Sequence, residues 1–409
     1  MEKKIISAVK KGLSQPFLRD YRVLLGLWCL LALIAGLAKM NGGRHNNFLI
    51  FRYVYEHVVN FLPLYVEYPT EYFDHNHYGP FFSLIIAPFS IMPEWLGLLA
   101  WLVFLAGLLY AAVRWLPLRQ GQHVFIYWFC AHELLTALFM QQFNIATVAL
   151  IVLTWICIEK ERDFWAALFI MIGFFVKLYG IVGLAFFFFS RHKGRLLLGC
   201  AVWAVVCFAV PMLYSSPDYI VGQYIDWFER LQVKNADNLF APSQNISLLG
   251  MVRKISGSSA YPDWWLILGG LVLFVLPYRR ISQYRFRDFR MMWLASVLMF
   301  VVLFSTGSES STYIIPFVGI CLWYLCVPWK RSGWDVALMV LAFVLSSLSP
   351  SDLFPRFVRE EWVRPYALKA LPIVLIWLKL TWEMNFRSYA PLPAPAAAQE
   401  PKAGSGGQR

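Results

Sequence analysis

Apolar runs close to the length needed to cross a bilayer recur along almost the whole chain. A transmembrane helix needs roughly 20 apolar residues, with about 17 as the lower end, and helices are the practical form for such runs. Only 15% of the residues are charged, which excludes an ordinary soluble domain. The sequence therefore predicts an all-α, polytopic membrane helix bundle with about 11–13 segments. The runs cover residues 21–40, 96–113, 121–138, 143–158, 194–214, 263–277, 289–305, 311–328, 334–349 and 366–384.

Basic residues cluster between these runs, and the positive-inside rule assigns such clusters to the cytoplasm. The same rule accounts for the net charge of +12, so we predict a lipid bilayer and no nucleic acid as partner. This predicts an inner (cytoplasmic) membrane protein with a basic cytoplasmic N-terminus over residues 1–20. A transmembrane domain over 21–384 follows, with outer loops at 41–80 and 215–262. The Pro/Ala/Gly-rich segment 385–409 is predicted to be a disordered cytoplasmic tail.

Two segments between residues 79 and 190 do not fit simple spans. The first is short and contains Pro80, Pro88 and Pro93, and the second, 163–190, is interrupted between Lys177 and Gly180. We therefore expect at least one half-spanning or broken helix here. Residues 48–62 and 219–231 have amphipathic helical patterns, which predict interfacial helices in the outer loops or helices packed over the bundle.

The loop after the first span holds candidate catalytic acids. Asp74 and Glu71 follow a Tyr-Pro pair, and a carboxylate at the membrane surface is suited to act as a general base. His75 and His77 lack a clear third ligand, so we predict no metal site. The seven cysteines all lie in apolar runs and favour neither a disulfide framework nor a zinc site.

Further polar residues lie at predicted helix mouths or inside apolar runs. Lys177 interrupts an apolar run and needs an anionic partner, either a buried carboxylate or the phosphate of a lipid carrier. Glu133 also lies within an apolar run, where it either serves function or bonds His132 between helices. The candidate substrate-binding residues are Tyr78, Glu133, Gln142, Asn144, Gln244, Asn245, Glu309 and Tyr313.

The order of these motifs resembles glycosyltransferase family 87, the DUF2029 group of GT-C membrane enzymes. The resemblance covers roughly residues 20–330. It rests on Tyr68-Pro-Thr-Glu71 with Asp74, on Tyr78-Gly-Pro80, Gln142 with Asn144, Lys177 before a helix break, and Ser243-Gln-Asn with Ser247.

The resemblance implies a GT-C bundle that transfers a hexose, often mannose, with inversion. It implies a polyprenyl-phosphate-sugar donor, a glycan or glycolipid acceptor, and no nucleotide or tightly bound metal. Lys177 would hold the donor phosphate. The family's usual acid lies near Asn46-Asn47, where this chain has no carboxylate, so either Asp74 or Glu71 is the base or the protein is impaired.

Two other functions remain open at the level of sequence. A multi-pass lipid or solute transporter or flippase would also use broken helices and buried charges, although no inverted repeat is visible. A non-catalytic membrane scaffold would fit the missing acid. No P-loop, dinucleotide fingerprint or kinase motif is present, which disfavours a nucleotide-driven machine and predicts no cofactor.

Overall fold

The computed structural model describes residues 15–258, 260, 262–351 and 353–391, and within these ranges the regular structure is helical, without strands. The predicted all-α bundle is therefore confirmed. The predicted basic terminus up to residue 14 and the predicted tail from residue 392 lie outside the described residues. The α-helices discussed below are α1 Tyr21–Asn41, α2 Asn46–Val59, α3 Phe82–Ser90, α4 Glu94–Arg114, α5 Gln120–Phe129, α6 Ala131–Phe139, α7 Asn144–Glu159, α8 Asp163–Lys177, α9 Lys193–Ala209, α10 Pro217–Asn238, α11 Leu248–Ser256, α12 Trp264–Val275, α13 Arg287–Leu303, α14 Ile314–Leu325, α15 Gly333–Leu341 and α16 Leu371–Phe386.

Three helical stretches of the described chain are long and apolar enough to cross a membrane alone. They are Tyr21–Asn41, Glu94–Arg114 and Lys193–Leu213, the last including a short 3-10 turn after α9. The other apolar helices are shorter and differ in burial: Trp264–Val275 is largely exposed, whereas α7 packs inside the bundle. In α7, for example, almost every residue from Asn144 to Ile158 is buried. α7 therefore contacts protein on most of its sides.

The two ends of the bundle are defined by α7 and α8, which pack side by side. α7 begins at Asn144 and α8 ends at Lys177, and these two residues hydrogen-bond to each other. We call this the site end. The opposite or far end holds Glu159, which accepts two hydrogen bonds from Arg290.

α3 is a short helix whose two flanks both contact residues at the site end. Just before it, the Gly79 amide donates to the Val176 carbonyl beside Lys177. At its other end, the Ser90 hydroxyl donates to the Arg52 carbonyl in α2. Its nine residues span about 14 Å, less than half the hydrocarbon core. α3 is therefore too short to cross, in agreement with the expectation of a half-spanning or broken helix between residues 79 and 190.

The segment 163–190 folds as an antiparallel hairpin rather than one interrupted helix. α8 ends at Leu178, which has a left-handed backbone (φ 56°), and the chain returns as a 3-10 helix, Tyr179–Phe189. The Ser190 hydroxyl donates to Asp163 at the start of α8, so the two legs have matched lengths. The fifteen residues of α8 extend about 22 Å along the helix axis, and the eleven residues of the 3-10 helix extend about the same distance. The interruption expected between Lys177 and Gly180 is therefore a turn between two short paired helices.

Both predicted amphipathic segments are helical and turn apolar residues inward. α2 buries Phe48, Phe51 and Val58, whereas Leu62 lies beyond its end and stays exposed. α10 buries Ile220 and Trp227. The Tyr219 hydroxyl donates to the Leu62 carbonyl, so the two outer-loop segments contact each other over the site end.

A buried ion pair links distant parts of the chain inside the bundle. The Lys369 ammonium lies 3.4 Å from both carboxylate oxygens of Glu133 and donates to the Ser310 carbonyl at 3.2 Å. Both side chains are almost fully buried. The Tyr313 ring lies under the ammonium at 4.4 Å. This arrangement fixes the segment before α16 against α6 and the turn before α14.

We predict opposite accessibility for the two ends of the bundle, with the site end outside the cell. In a cysteine-free version, Phe73→Cys should react with an impermeant thiol reagent in intact or outer-membrane-permeabilised cells. Arg191→Cys should react only after the cytoplasmic membrane is opened. Both native side chains are 76% exposed, so burial does not limit either position. The reverse pattern of labelling would invert the predicted topology.

We also predict that Lys369→Met lowers the melting temperature of the detergent-solubilised protein. Removing one member of a buried ion pair costs about 3–5 kcal/mol, because the remaining charge is left without a partner. Adding Glu133→Gln should restore much of the lost stability, since it removes the stranded carboxylate. Lys160→Met, at an exposed position, serves as the control. Equal melting temperatures for Lys369→Met and this control would show that the pair contributes nothing.

Candidate functional site

A continuous polar network connects the helix ends at the site end. The Lys177 ammonium donates to the Asn144 amide oxygen at 2.9 Å, and the Asn144 amide nitrogen donates to the Gln142 oxygen at 2.8 Å. The side-chain amides of Gln142 and Gln244 then donate to the two carboxylate oxygens of Glu309, at 3.1 and 3.0 Å. The network therefore joins five of the predicted site residues through side-chain contacts.

The local backbone explains why Lys177 points into this network. The left-handed residue Leu178 ends α8 directly after Lys177, and a cation is favoured at a helix C-terminus. Gly79 packs so closely that a Cβ atom there would lie 2.2 Å from the Phe175 carbonyl oxygen. This contact brings the Tyr78 ring to 5.5 Å from the Lys177 ammonium, and the Tyr179 ring lies at 5.4 Å on another side.

Two adjoining cavities open beside the network. The Lys177 cavity has a volume of about 230 Å³ and also touches Tyr179, Asn235 and Ser305. The Asp74 cavity has a volume of about 180 Å³ and also touches Asn47 and Met140. Their common lining consists of His77, Tyr78, Gln142, Lys234, Gln244 and Glu309. A ligand that fills both would contact Lys177 at one end and Asp74 at the other.

The Asp74 loop is held against the start of α2 by a pair of hydrogen bonds. The Asn46 side chain donates to the Phe73 carbonyl and accepts from the Phe73 amide, at 2.6 and 2.7 Å. Asp74 itself has a left-handed backbone (φ 75°), and its carboxylate accepts from the His75 amide. Asn47, next to Asn46, lines the same cavity as Asp74. Asp74 therefore faces the space beside the position where the resemblance leads us to expect an acid.

Glu71 lies apart from these cavities. Its carboxylate is 2.8 Å from the Nε2 atom of the buried His57 in α2. The Tyr68 ring packs over the same histidine, with ring centroids 4.1 Å apart. Glu71 thus links the loop to α2, and of the two candidate bases only Asp74 contacts the cavities described here.

Three other predicted site residues are buried behind the cavities. Asn245 bonds to Ser247 and to the Leu239 carbonyl, and the Tyr313 hydroxyl donates to the Ile246 carbonyl. These contacts hold Gln244 next to Glu309. Glu133 pairs with Lys369, so the buried carboxylate considered as the partner of Lys177 serves a different lysine. Among the described residues, Lys177 has only amide and aromatic neighbours within direct contact.

Two residues of the shared cavity wall were not assigned as substrate-binding residues from the sequence. Both ring nitrogens of His77 are buried without a hydrogen-bond partner. Burial and the nearby Lys234 ammonium lower the pKa of His77 to about 3, so the ring is neutral and can both donate and accept. Lys234 lies near the polar end of α10. The abrupt change from apolar to polar residues along that helix is the signal that could have identified it.

Comparison with known proteins gives one family. The sequence profile of glycosyltransferase family 87 matches residues 76–306, which is more than half of the chain. No curated protein sequence matches the chain. The matched range includes Tyr78, Gln142, Asn144, Lys177 and Gln244, all of which belong to the cavity wall or its polar network. The chain belongs to glycosyltransferase family 87 and is a membrane glycosyltransferase.

Proposed function

We propose that this protein transfers a hexose, such as mannose, from a polyprenyl-phosphate donor to a glycan or glycolipid acceptor at the outer face of the cytoplasmic membrane. Asp74 is the general base, and Lys177, with Lys234 nearby, binds the donor phosphate. The observation that carries this proposal is the shared wall of the Asp74 and Lys177 cavities. It separates a carboxylate from a buried ammonium by a space lined with hydrogen-bonding side chains.

The proposed step is an inverting displacement of a GT-C type. The acceptor hydroxyl attacks the anomeric carbon, and the bond from that carbon to the phosphate oxygen breaks. The electron pair leaves with the polyprenyl phosphate, and the hydroxyl proton passes to Asp74. A positioned base and a fixed cation supply what this step needs, because the phosphate is already a good leaving group.

The contacts of Lys177 favour a role in binding a ligand. Its direct hydrogen-bond partner is the neutral Asn144, and the Glu309 carboxylate of the same cavity compensates the charge only through space, since Gln142 and Gln244 hold it. Removing an ammonium from water is costly unless an anion compensates it, so a bound phosphate is favoured there. Lys234 adds a second positive charge to the same cavity.

The remaining polar residues of the wall suit sugar hydroxyls. Glu309 has both carboxylate oxygens oriented by Gln142 and Gln244, and each oxygen retains further acceptor capacity. The neutral His77 ring adds one donor and one acceptor. Tyr78 contributes an aromatic surface next to Lys177. We therefore assign Glu309, Gln142, Gln244 and His77 to binding and orienting the transferred sugar.

We predict that Asp74→Asn reduces transfer by roughly 10²–10⁴-fold, the range for loss of a general base. The purified protein in nanodiscs would be assayed with radiolabelled citronellyl phosphomannose and a lipid and glycan extract from cells lacking this protein. The melting temperature should stay unchanged, because the Asp74 side chain is 55% exposed. Glu71→Gln is the matched control and should retain activity.

The double variant Asp74→Asn with Asn47→Asp adds a second test. Asn47 lines the same cavity, so a carboxylate there should recover part of the lost transfer. Full activity of Asp74→Asn together with loss in Glu71→Gln would move the role to Glu71. Full activity of Asp74→Asn with complete loss in Glu309→Gln would move it to Glu309.

We predict that Lys177→Met raises the donor KM or abolishes turnover while the protein stays folded. Asn144 is neutral, so this change leaves no buried carboxylate without a partner. The melting temperature should therefore fall far less than in Lys369→Met, which does strand a carboxylate. Lys177→Arg should recover part of the donor affinity, because it keeps the charge.

The comparison of the two lysine variants decides between the roles of Lys177. A drop in melting temperature as large as that of Lys369→Met, with donor KM unchanged, would make Lys177 structural. Lys234→Met would be measured in parallel, and a rise in donor KM is expected because Lys234 lines the same cavity.

A further inference from the structure

The side chains of Gln244 and Glu309 lie where three cavities meet. Besides the Lys177 cavity and the Asp74 cavity, a third cavity of about 380 Å³ lies beside Ser310. Gln244 and Glu309 contribute to the lining of all three. The Gln244 side-chain amide donates to one Glu309 carboxylate oxygen at 3.0 Å. The position of this pair therefore sets the shape of all three cavities.

Gln244 belongs to a loop rather than to a helix. The loop runs from the end of α10 at Asn238 to the start of α11 at Leu248. Site residues on loops are held less precisely than those on helices unless neighbouring groups lock them in place. Gln244 therefore needs support from outside its own segment to keep its side chain on Glu309.

Lys254 in α11 provides this support. Its half-buried ammonium donates to the carbonyl oxygens of Ala241 and Gln244, at 3.0 and 2.9 Å. One side chain thus bonds both ends of the segment 241–244. The second of these bonds fixes the backbone of the same residue whose side chain orients Glu309.

The packing of α11 explains how Lys254 reaches the loop. A Cβ atom at Gly250 would lie 1.6 Å from the Asn245 carbonyl oxygen, so the first turn of α11 lies directly against the loop. Residues four apart share one face of a helix. Lys254 therefore lies on the same face as Gly250 and extends over the loop carbonyls.

The charge of Lys254 strengthens these two contacts. Burial lowers the pKa of Lys254 to about 8, so the amine is mostly protonated at neutral pH. Hydrogen bonds from a charged donor are roughly twice as strong as those from a neutral one. Among the residues that the structure describes, no carboxylate lies within ion-pair distance of Lys254, whereas the neighbouring Arg253 pairs with Asp263. The two loop carbonyls are therefore the groups that hold this ammonium.

We propose that Lys254 is a positioning residue for sugar transfer. It holds Gln244 so that Gln244 orients Glu309 at the junction of the cavities, and through this pair it determines how tightly the transferred sugar is bound. This inference rests on the proposed function, because that function assigns Gln244 and Glu309 to the sugar.

The test measures binding to the full chain in phosphatidylcholine nanodiscs, without an acceptor. The probes are citronellyl phosphomannose, which carries the sugar, and citronellyl phosphate, which does not. Lys254→Met should weaken phosphomannose binding about tenfold, as expected for loss of a charge-assisted contact. Citronellyl phosphate binding should stay unchanged, because it lacks the sugar. Lys254→Arg should recover most of the affinity, since a guanidinium can donate to both carbonyls.

Gln244→Ala tests whether Lys254 acts through Gln244. If it does, adding Lys254→Met to Gln244→Ala should cause no further loss of phosphomannose affinity. Additive losses would show that Lys254 acts through another group and would overturn the proposal.

A purely structural role of Lys254 gives a different pattern. Lys254→Met would then weaken both probes together and lower the melting temperature as much as Lys369→Met does, which would overturn the proposal. Unchanged binding of both probes in Lys254→Met would also overturn it. Lys160→Met, at an exposed position, is the control and should bind both probes as the wild-type protein does.

Failure of this inference can be separated from failure of the proposed function. Full phosphomannose affinity in Gln244→Ala would overturn the sugar-binding assignment and, with it, the role of Lys254. Reduced affinity in Gln244→Ala with none lost in Lys254→Met would overturn the inference alone. Full transfer activity in Asp74→Asn would overturn the proposed base and leave the binding pattern in place.

Discussion

The hydrogen bond from Lys177 to Asn144 is the contact on which the architecture of the site depends. It joins the last residue of α8 to the first residue of α7, and Asn144 passes the connection to Gln142 and Glu309. Buried polar groups are costly without partners, so each member of this network fixes the position of the next. The end of α8 and the start of α7 are held together because Lys177 donates a hydrogen bond to Asn144.

Lys369 and Lys177 differ in the partner that each of them contacts. Lys369 contacts a carboxylate and stabilises the packing of segments far apart in the chain. Lys177 contacts an amide, so one of its three donors has a partner while its charge is not neutralised by direct contact. A buried cation of the second kind attracts anionic ligands, whereas one of the first kind mainly holds the protein together.

Sequence reasoning predicted the features that depend on local composition. Apolar runs located the membrane helices, and polar residues near their ends identified Gln142, Lys177 and Gln244 as candidates, which the structure joins in one network. It did not predict features that depend on distant pairing. Lys369, the partner of Glu133, is 236 residues further along the chain, and no local sequence pattern indicates such a pair.

Other differences from prediction have equally physical causes. Glu71 and Asp74 belong to the same loop motif. The Glu71 carboxylate hydrogen-bonds to the buried His57, however, and therefore lies away from the cavities. The segment 163–190 was difficult to interpret because a 3-10 helix rises about 2.0 Å per residue, and eleven residues then extend as far as a longer α-helix. Hydropathy along the chain does not distinguish these two helical forms.

The hairpin of α8 and the 3-10 helix Tyr179–Phe189 has a consequence for biosynthesis. Its legs contain 15 and 11 residues, and each is shorter than the stretch of about 17–20 residues that inserts into a membrane by itself. The two legs therefore have to enter the bilayer together, with Leu178 leading. Lys177 is carried at this tip, so the charge that we propose binds the donor phosphate first opposes membrane insertion. Substitutions along either leg would then reduce the amount of inserted enzyme before they alter its chemistry.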